Sequence, residues 1–366
     1  MSSTLTTSKR LISLDALRGF TIAGMILVNM PGDWGHTYGL LKHAHFNGLT
    51  LADLVFPFFL FIVGASIVLA LKKRLDAGVQ KAGLIKKIVS RTLIIFLLGL
   101  LLNWITSDFS PELRIAGVLQ RIAICYLVGS LLFIYTSQTV QVIIGLVFLL
   151  GYWMLSVFVP VPGQGVVFSF DMSWQVWVDQ LLLPGKMYFG TWDPEGLLST
   201  FPAIVNTLLG IQATILIQKL NDQKMKMIGL FIFGISLLVA GLLLSSSFPV
   251  NKNAWTSSFV LVTSGLASIF WSVLMFVIDV KGWRKWAKPG IIFGANAITA
   301  YVLHEVLIIP IDRIQLGSHS LKGWVMVLFN GFLPPEMASL AWALFFVFLC
   351  FLPIWWMYRK KIFVKI

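Results

Sequence analysis

The feature that most constrains this chain is a series of long apolar runs that contain almost no charged residues. Only 12% of its 366 residues are charged and 58% are hydrophobic, whereas a soluble domain carries about 25% charged residues. So little polar surface cannot cover a globule in water. Apolar runs of about eighteen residues or more are typical of transmembrane helices. The sequence therefore predicts an all-α polytopic membrane protein.

We predict about ten transmembrane helices. An even number of crossings places both termini on the same side of the membrane. Because we find no internal repeat, low-complexity tract or linker, we interpret residues 1–366 as a single membrane domain. The predicted spans lie near residues 14–31, 53–71, 90–105, 115–135, 139–160, 198–218, 226–246, 257–279, 289–310 and 338–357.

The net charge of +13 follows the predicted membrane topology. Most of the 28 basic residues form short clusters between apolar runs, including Lys9 and Arg10 at one end and Lys365 at the other. Basic clusters of this kind mark cytoplasmic loops, so both termini are predicted to be cytoplasmic and nucleic acid is not an expected partner. The predicted outer side keeps only Lys42, Arg114, Arg121, Lys186, Lys252, Arg313 and Lys322.

The first predicted outer loop carries the densest group of polar side chains. Imidazole suits proton transfer near neutral pH, and a carboxylate can fix its tautomer and stabilise its charged form. A nucleophile or base at this loop is one interpretation, and a solvated polar loop with unremarkable histidines is the other. The group comprises Asn29, His36, Lys42, His43, His45, Asn47 and Asp53.

A metal site is the weaker interpretation of the His43 and His45 pair. Zinc sites in proteins use three or four ligands, and the sequence offers few further histidines. The two cysteines, Cys125 and Cys350, lie inside apolar runs, where thiols usually serve as packing residues. We therefore predict that the protein needs no metal.

Three arginines near the ends of predicted spans are candidates for holding a phosphate-bearing ligand. Arg18 lies three residues after Asp15, so the two can also form an interfacial ion pair on one helix face. Arg114 and Arg121 flank the start of the fourth predicted span. An arginine at that depth needs an acidic or phosphate partner, and structural pairing with Asp108, Glu112 or Asp193 is the alternative.

Two further pairs of ionisable residues complete the candidate set. Asp193 and Glu195 end the long predicted outer segment 161–197, where they can bind a ligand or simply favour the start of the next helix. His304 and Glu305 lie inside the ninth predicted span, where packing alone does not explain them, although an interhelical hydrogen bond does.

These motifs together resemble the transmembrane heparan-α-glucosaminide N-acetyltransferase family and its bacterial NagX-type relatives, and the resemblance covers nearly the whole chain. The segments KHAHFNGLTLADLVFP and DPEG are the more specific ones, whereas LDALRG alone is weak. The matching segments, in chain order, are SLDALRGFTIAGMILVNMPGDW, LKHAHFNGLTLADLVFPFFLFIVGASI, LRIAGVLQR, TWDPEGLLST and FGANAITAYVLHEV.

The resemblance implies acetyl transfer from cytoplasmic acetyl-CoA to the amine of glucosamine, or of a saccharide ending in glucosamine, on the outer side. It implies catalysis by His43, with Asn29 and Asp53 as the matching asparagine and acid. It further implies a homodimer. Because the sequence is a short form without the lumenal domain of the lysosomal relatives, we expect a bacterial protein of the cytoplasmic membrane. On this interpretation acetyl-CoA is a substrate held by Arg18, Arg114 and Arg121, and the acceptor sugar contacts Asn47, Asp193, Glu195, His304 and Glu305.

Two other functions fit parts of the sequence. An amino-sugar transporter would line its path with intramembrane polar groups, but we find no internal pseudo-repeat of the kind that many transporters have. The LDALRG start also resembles the acyltransferase-3 group of membrane O-acyltransferases, which would modify cell-envelope glycans. That group carries a histidine eleven residues after the arginine of LRG, where this chain has Asn29.

Overall fold

The computed structural model describes residues 11–364, and this part of the chain is almost entirely helical. Lys9, Arg10 and Lys365, which our charge analysis assigns to the cytoplasm, lie outside the described residues. The thirteen described α-helices are α1 Ile12–Asn29, α2 Leu51–Asp76, α3 Lys81–Thr106, α4 Val118–Tyr135, α5 Gln138–Phe158, α6 Trp174–Leu182, α7 Thr200–Lys219, α8 Gln223–Leu244, α9 Ser257–Leu274, α10 Lys288–Ala295, α11 Ala297–Arg313, α12 Leu321–Asn330 and α13 Pro335–Arg359.

Small elements connect or extend these helices. A 3-10 turn at Gly39–Leu41 lies between α1 and α2, and a π-helical segment, Met275–Val280, continues α9. Strands β1 (Gln315–Leu316) and β2 (His319–Ser320) form a short antiparallel hairpin. Strand therefore makes up very little of residues 11–364.

The helices confirm the predicted all-α polytopic membrane fold. Within the described range, nine helices are long and apolar enough to cross a membrane, and the pair α10 and α11 brings the number to ten if it counts as one span. Short helices α6 and α12 lie in two of the segments that we predict to be outer loops. The apolar runs alone therefore predict the positions of the spans well.

The ninth span differs from the prediction. Instead of one continuous helix near residues 289–310, the chain forms α10 and α11, which meet at an angle of 85°. Asn296 stands at the break with non-helical backbone angles, and its side chain bonds Ile362 O and Val364 N at 3.0 and 2.9 Å. The break is thus stabilised by the segment that follows α13.

The connection between α1 and α2 contacts the α8–α9 connection, and the α3–α4 connection contacts the segment before α7. We call the side that carries these connections the outer side. Its placement away from the cytoplasm rests on the distribution of basic residues and stays a prediction.

Several helices begin at a side chain that satisfies an exposed backbone N–H. The first turn of an α-helix leaves N–H groups without an intrahelical partner, and Ser, Thr or Asp at the preceding position accepts a hydrogen bond from one of them. These capping residues are Ser137, Ser173, Asp222, Thr256 and Ser320.

Helices α2 and α7 cross at the centre of the fold. In the apolar 18-residue stretch of α7, 78% of the residues are buried. The corresponding stretch of α8 is only 17% buried, so most of that helix faces outward. Glycines let the α2 and α7 backbones approach: a Cβ at Gly64 would lie 1.9 Å from Thr207 O, and one at Gly210 would lie 2.0 Å from Phe61 O. Small residues at such crossings are typical of packed membrane helices.

We expect Gly64→Ala to destabilise the protein, because the added methyl group would force α2 and α7 apart. Overpacking of this kind costs about 1–3 kcal/mol, which corresponds to a melting temperature lower by roughly 3–10 °C. Thermal unfolding in detergent can be followed with a thiol-reactive dye, since both described cysteines are buried. Gly151→Ala is the matched control, because a Cβ there meets nothing within 4 Å. Equal melting temperatures for the two variants would contradict this account.

Candidate active site

His43 and Asp53 form a hydrogen-bonded pair on the outer side. The imidazole Nδ1 of His43 lies 2.8 Å from Asp53 Oδ1. An ionised carboxylate can only accept hydrogen bonds, so Nδ1 carries the proton and Nε2 presents a lone pair. The His43 side chain is 36% exposed, whereas Asp53 is fully buried. A buried carboxylate thus fixes the orientation and the tautomer of an accessible imidazole.

The folding of the start of α2 explains why Asp53 is in place. Thr50 precedes the helix, and Asp53 stands at its third position. The second carboxylate oxygen of Asp53 accepts hydrogen bonds from Thr50 N and Thr50 Oγ1, each at 3.0 Å, and from Ala44 N at 3.2 Å. A side chain that reaches back in this way is the usual signature of a helix start. The same carboxylate therefore begins α2 and anchors the loop that carries His43.

The α8–α9 connection, residues 245–256, brings Lys252 to this pair. Lys252 Nζ lies 3.1 Å from each ring nitrogen of His43 and 3.9 Å from Asp53 Oδ1. Asn251 Nδ2 donates to Asn47 Oδ1 at 3.0 Å. Gly48 N donates to the carbonyl oxygen of Val250, in the same α8–α9 connection, at 2.8 Å. The contact of Asn47 with the sugar stays a prediction. In the structure its side chain fastens two outer connections to each other.

Lys252 is a residue of this site to which the sequence analysis assigns no role. It lies 209 positions after His43 and outside the sequence motifs that mark the other site residues. Its one sequence signal is that it is a lone lysine, between two asparagines, on the side that is poor in basic residues.

A cavity opens beside the pair. Its mouth carries His43, Asn29, Glu195 and Lys252, and its lining continues between α1, α2, α4 and α11 to Thr21 in the middle of α1. Asn29 follows Thr21 by eight positions in α1, a rise of about 12 Å at 1.5 Å per residue. The cavity volume is about 80 Å³. Apart from its polar mouth the lining is largely apolar.

Asp193 and Glu195 form an acidic wall beside the cavity mouth, and Arg114 holds both carboxylates in place. Its guanidinium bonds both carboxylate oxygens of Asp193 at 2.7 Å and Glu195 Oε2 at 2.6 Å. Burial raises the pKa of Asp193, but the hydrogen bonds and the charge of Arg114 lower it by more than burial raises it. The net pKa of Asp193 therefore lies below the usual range. Burial in turn lowers the pKa of Arg114, and the two carboxylates outweigh it to give a raised pKa. The wall therefore carries an ionised, tightly paired network.

A second buried carboxylate shapes the turn between Asp193 and α7. Asp179 accepts hydrogen bonds from Asp193 N at 3.1 Å and Leu197 N at 3.0 Å. Burial raises the pKa of Asp179 to about 6. Gly196 is required here, because a Cβ would lie 2.0 Å from Asp179 Oδ2. This packing explains the glycine of the DPEG segment.

Arg121 is enclosed below this wall. It is 1% exposed, donates to Gly196 O at 3.1 Å and Ser199 Oγ at 2.5 Å, and lies over the Trp255 ring at 5.0 Å. Arg114 and Arg121 thus hold protein groups near the outer side. These contacts do not support the phosphate-binding role that the sequence analysis predicts for the two residues, and they favour the alternative of structural pairing.

Arg18 lies toward the opposite side of the protein. Its guanidinium bonds Ser66 Oγ at 2.9 Å, Asp15 Oδ1 at 3.2 Å and Gly294 O at 3.4 Å, so it joins α1, α2 and α10. The contact with Asp15 is the ion pair that the spacing predicts. Arg114 and Arg121 thus lie toward the outer side, whereas Arg18 lies toward the opposite side, and its predicted role toward acetyl-CoA stays a prediction.

His304 and Glu305 lie in α11 but do not line the cavity. Within the described residues, α11 contributes Ile298 and Tyr301 to the lining instead. His304 is fully buried, its Nδ1 contacts the Tyr301 carbonyl, and its Nε2 lies 3.4 Å from Glu305 Oε1. Their predicted contact with substrate stays a prediction, and Tyr301 is the polar side chain that α11 contributes to the cavity.

Aromatic side chains join the long outer segment to the His43 loop. Phe46 packs against Phe168 and Phe170 at centroid distances of 5.5 and 5.8 Å, and Phe170 packs against Trp192 at 5.5 Å. Trp192 is 1% exposed. The segment therefore packs over the site as an ordered wall, beyond the membrane-interface role that single tryptophans usually have.

His45 does not join His43 at a common ligand position, since its ring faces Phe170 at 6.1 Å. Among residues 11–364, no three His, Cys, Asp or Glu side chains are grouped so that they could hold a metal ion. The expectation that the protein needs no metal stays a prediction.

The helices and this site define a class: a multi-pass, all-helical membrane protein with a carboxylate-oriented imidazole at the mouth of a cavity within the helices. Residues 10–231 match the family model described as heparan-alpha-glucosaminide N-acetyltransferase, catalytic. The chain is 32% identical to heparan-alpha-glucosaminide N-acetyltransferase of Mus musculus, over 82% of this chain and 54% of the relative. It is also 32% identical to the Homo sapiens protein of the same name, over 81% and 53%.

This protein belongs to the heparan-alpha-glucosaminide N-acetyltransferase catalytic family, as its motifs predict. The chain spans about half the length of the curated relatives that it matches. The part of the chain that matches the family model, residues 10–231, includes His43, Asn29, Asp53 and the Asp193–Glu195 segment. It ends before Lys252 and Tyr301, which the folded structure adds to the site.

Proposed function

We propose that this protein is a membrane acetyltransferase that moves the acetyl group of acetyl-CoA to the amine of glucosamine or of a saccharide ending in glucosamine. The observation that carries the proposal is the His43–Asp53 pair at the mouth of a cavity within the helices. Membership of the family supports this chemistry. An orienting acid, an accessible base and an enclosed approach to that base are what amine acylation requires.

In the proposed reaction His43 is the general base. A protonated amine has no lone pair to attack with, so Nε2 of His43 first accepts a proton from the sugar ammonium, and the neutral nitrogen then attacks the thioester carbonyl. The new C–N bond forms and the C–S bond breaks. The CoA sulfur leaves as a thiolate, which takes up the second proton that the nitrogen releases as the amide forms, and the imidazolium returns its proton to water. Asp53 stabilises the imidazolium, and the Asn29 amide donates to the carbonyl oxygen as its negative charge grows.

Glu195 has a separate proposed role. It faces the mouth and is held by Arg114, so it can attract the ammonium of the acceptor before transfer. We assign Asp193 and Arg114 to positioning this carboxylate rather than to direct substrate contact. A covalent acetyl-His43 intermediate is the second chemical route. We propose direct transfer, because it leaves no acyl-histidine exposed to water.

The donor and the acceptor are proposed to arrive from opposite sides. Basic clusters predict that the side opposite His43 is cytoplasmic. We propose that Arg18, together with Lys72, Lys73 and Arg74 near the end of α2, meets the phosphates of acetyl-CoA there. We further propose a bacterial NagX-type protein of the cytoplasmic membrane that acts as a single domain and forms a homodimer.

The direct test is acetylation of glucosamine by purified protein in detergent. We expect acetyl-CoA to be consumed with formation of N-acetylglucosamine and free CoA in equal amounts. Supplying each substrate to one side of sealed proteoliposomes then tests the sidedness. Binding of glucosamine without any consumption of acetyl-CoA would overturn the proposal and favour a transporter. Acetylation of hydroxyl groups alone would favour an O-acyltransferase.

A further inference from the structure

Lys252 lies over the face of the His43 ring. Its Nζ is 3.1 Å from Nδ1 and 3.1 Å from Nε2. An atom equally close to both nitrogens cannot lie in the ring plane, because it would overlap the ring carbon between them. The lone pair of Nε2 points along the ring plane, so Lys252 approaches the imidazole without occupying the position where a proton would bind.

Charged and polar groups of the surrounding elements share the cavity with this imidazole. Asp53 of α2 bonds Nδ1, and Lys252 lies over the ring. Glu195 shares the cavity mouth but is paired with Arg114, and Tyr301 of α11 lines the wall. Asp53 favours a protonated imidazole and Lys252 opposes it, since a second positive charge at 3.1 Å repels the first. The charge of Lys252 is therefore the nearest influence against protonation of His43.

The pKa of Lys252 is changed in opposite directions by burial of its amine and by two acidic neighbours. Burial lowers the pKa of Lys252, whereas Asp53 and Glu195 raise it, and the net pKa lies below the usual range. The side chain retains 17% exposure, and its Nζ is 3.9 Å from the fully buried Asp53 carboxylate. A buried carboxylate needs a compensating positive charge, and Lys252 is placed to supply it without protonation of His43.

We propose that Lys252 is a positioning residue that supplies the positive charge beside Asp53 and so keeps the His43 imidazole neutral and able to accept a proton. This inference rests on the proposed function, in which His43 is the base. It gives the buried Asp53 carboxylate a positive partner other than a protonated His43. Without the ammonium, Asp53 alone would favour the charged ring, and a protonated His43 cannot take a proton from the amine.

The test is the pH dependence of acetyl transfer by wild-type protein, Lys252→Gln and Lys252→Arg. Activity of a general base rises with pH through the pKa of that base. We expect the midpoint of this rise to move to higher pH by about one unit or more in Lys252→Gln, and to return toward the wild-type value in Lys252→Arg. Lys42→Gln is the matched control, because this neighbour of His43 donates instead to Gly35 O at 3.3 Å.

A second readout does not depend on activity. Diethyl pyrocarbonate modifies neutral imidazole, so the pH at which the His43 peptide becomes labelled, measured by mass spectrometry, reports its protonation directly. The same upward displacement is expected in Lys252→Gln, with Lys252→Met used if the Gln variant does not remain monodisperse. Equal or lower labelling midpoints than in the wild type would overturn the role of Lys252. Absence of transfer by the wild type at every pH would instead overturn the proposed function, and the labelling result would still stand.

Discussion

His43→Gln is expected to lower the rate of acetyl transfer by roughly 10²–10⁴-fold, the usual contribution of a positioned general base. Glutamine can still donate a hydrogen bond toward Asp53 but has no basic nitrogen. The side chain lies at the cavity mouth and is 36% exposed, so the variant should fold. Initial rates at saturating acetyl-CoA, with the melting temperature measured in parallel, separate the chemical defect from a folding defect.

His36→Gln provides the matched control for this measurement. His36 also pairs with an aspartate, Asp33, at 2.8 Å, but both side chains are about half exposed and neither lines the cavity. Its rate should match that of the wild type. Asp53→Asn should retain more activity than His43→Gln, because the base remains while its orientation is weakened. A folded His43→Gln with an unchanged rate would contradict the assignment of the base.

Arg114→Leu is expected to lower the free energy of unfolding by about 3–5 kcal/mol, the usual cost of removing one partner of a buried ion pair. The change leaves Asp193, which is fully buried, and Glu195 without their shared guanidinium. Because the acidic wall would lose its fixed position, the affinity for the acceptor amine should fall as well. Thermal unfolding in detergent and the apparent KM for glucosamine measure the two effects.

Arg313→Leu is the control for this prediction. Arg313 pairs with Asp108 at 2.5 Å, but the two side chains are 49% and 73% exposed. Exposed pairs contribute about 0–1 kcal/mol, so this variant should melt close to the wild type. If both arginine variants lost the same small stability, the Asp193–Glu195 wall would not depend on Arg114 as the geometry indicates.

The spans were predictable because each depends on a local property, the length of an apolar run. The break at Asn296 was not, because it depends on contacts with Ile362 and Val364, which lie more than sixty residues later. The sequence around Asn296 is compatible with one continuous helix. Only the packed structure, in which the chain after α13 meets Asn296, shows two helices at 85°.

The candidate site likewise combines residues that local sequence brings together with residues that only the fold brings together. His43 and Asp53 are ten residues apart, and a carboxylate at a helix start can reach the loop before it, so the sequence brings them together. Lys252 reaches His43 only because α8 and α9 return the chain to the outer side, and no local pattern records that approach. Arg114 was recognisable as a buried charge, but its partners, 79 and 81 residues away, decide whether it holds protein or ligand.

The carboxylate of Asp53 belongs both to the first turn of α2 and to the orientation of His43. Reactivity of the imidazole and integrity of that turn are therefore one property of the molecule. Any lipid, detergent or temperature that frays the first turn releases the histidine at the same time, before the transmembrane body unfolds. Loss of activity should accordingly precede loss of helical content on heating. The catalytic rate then reports whether the first turn of α2 is folded.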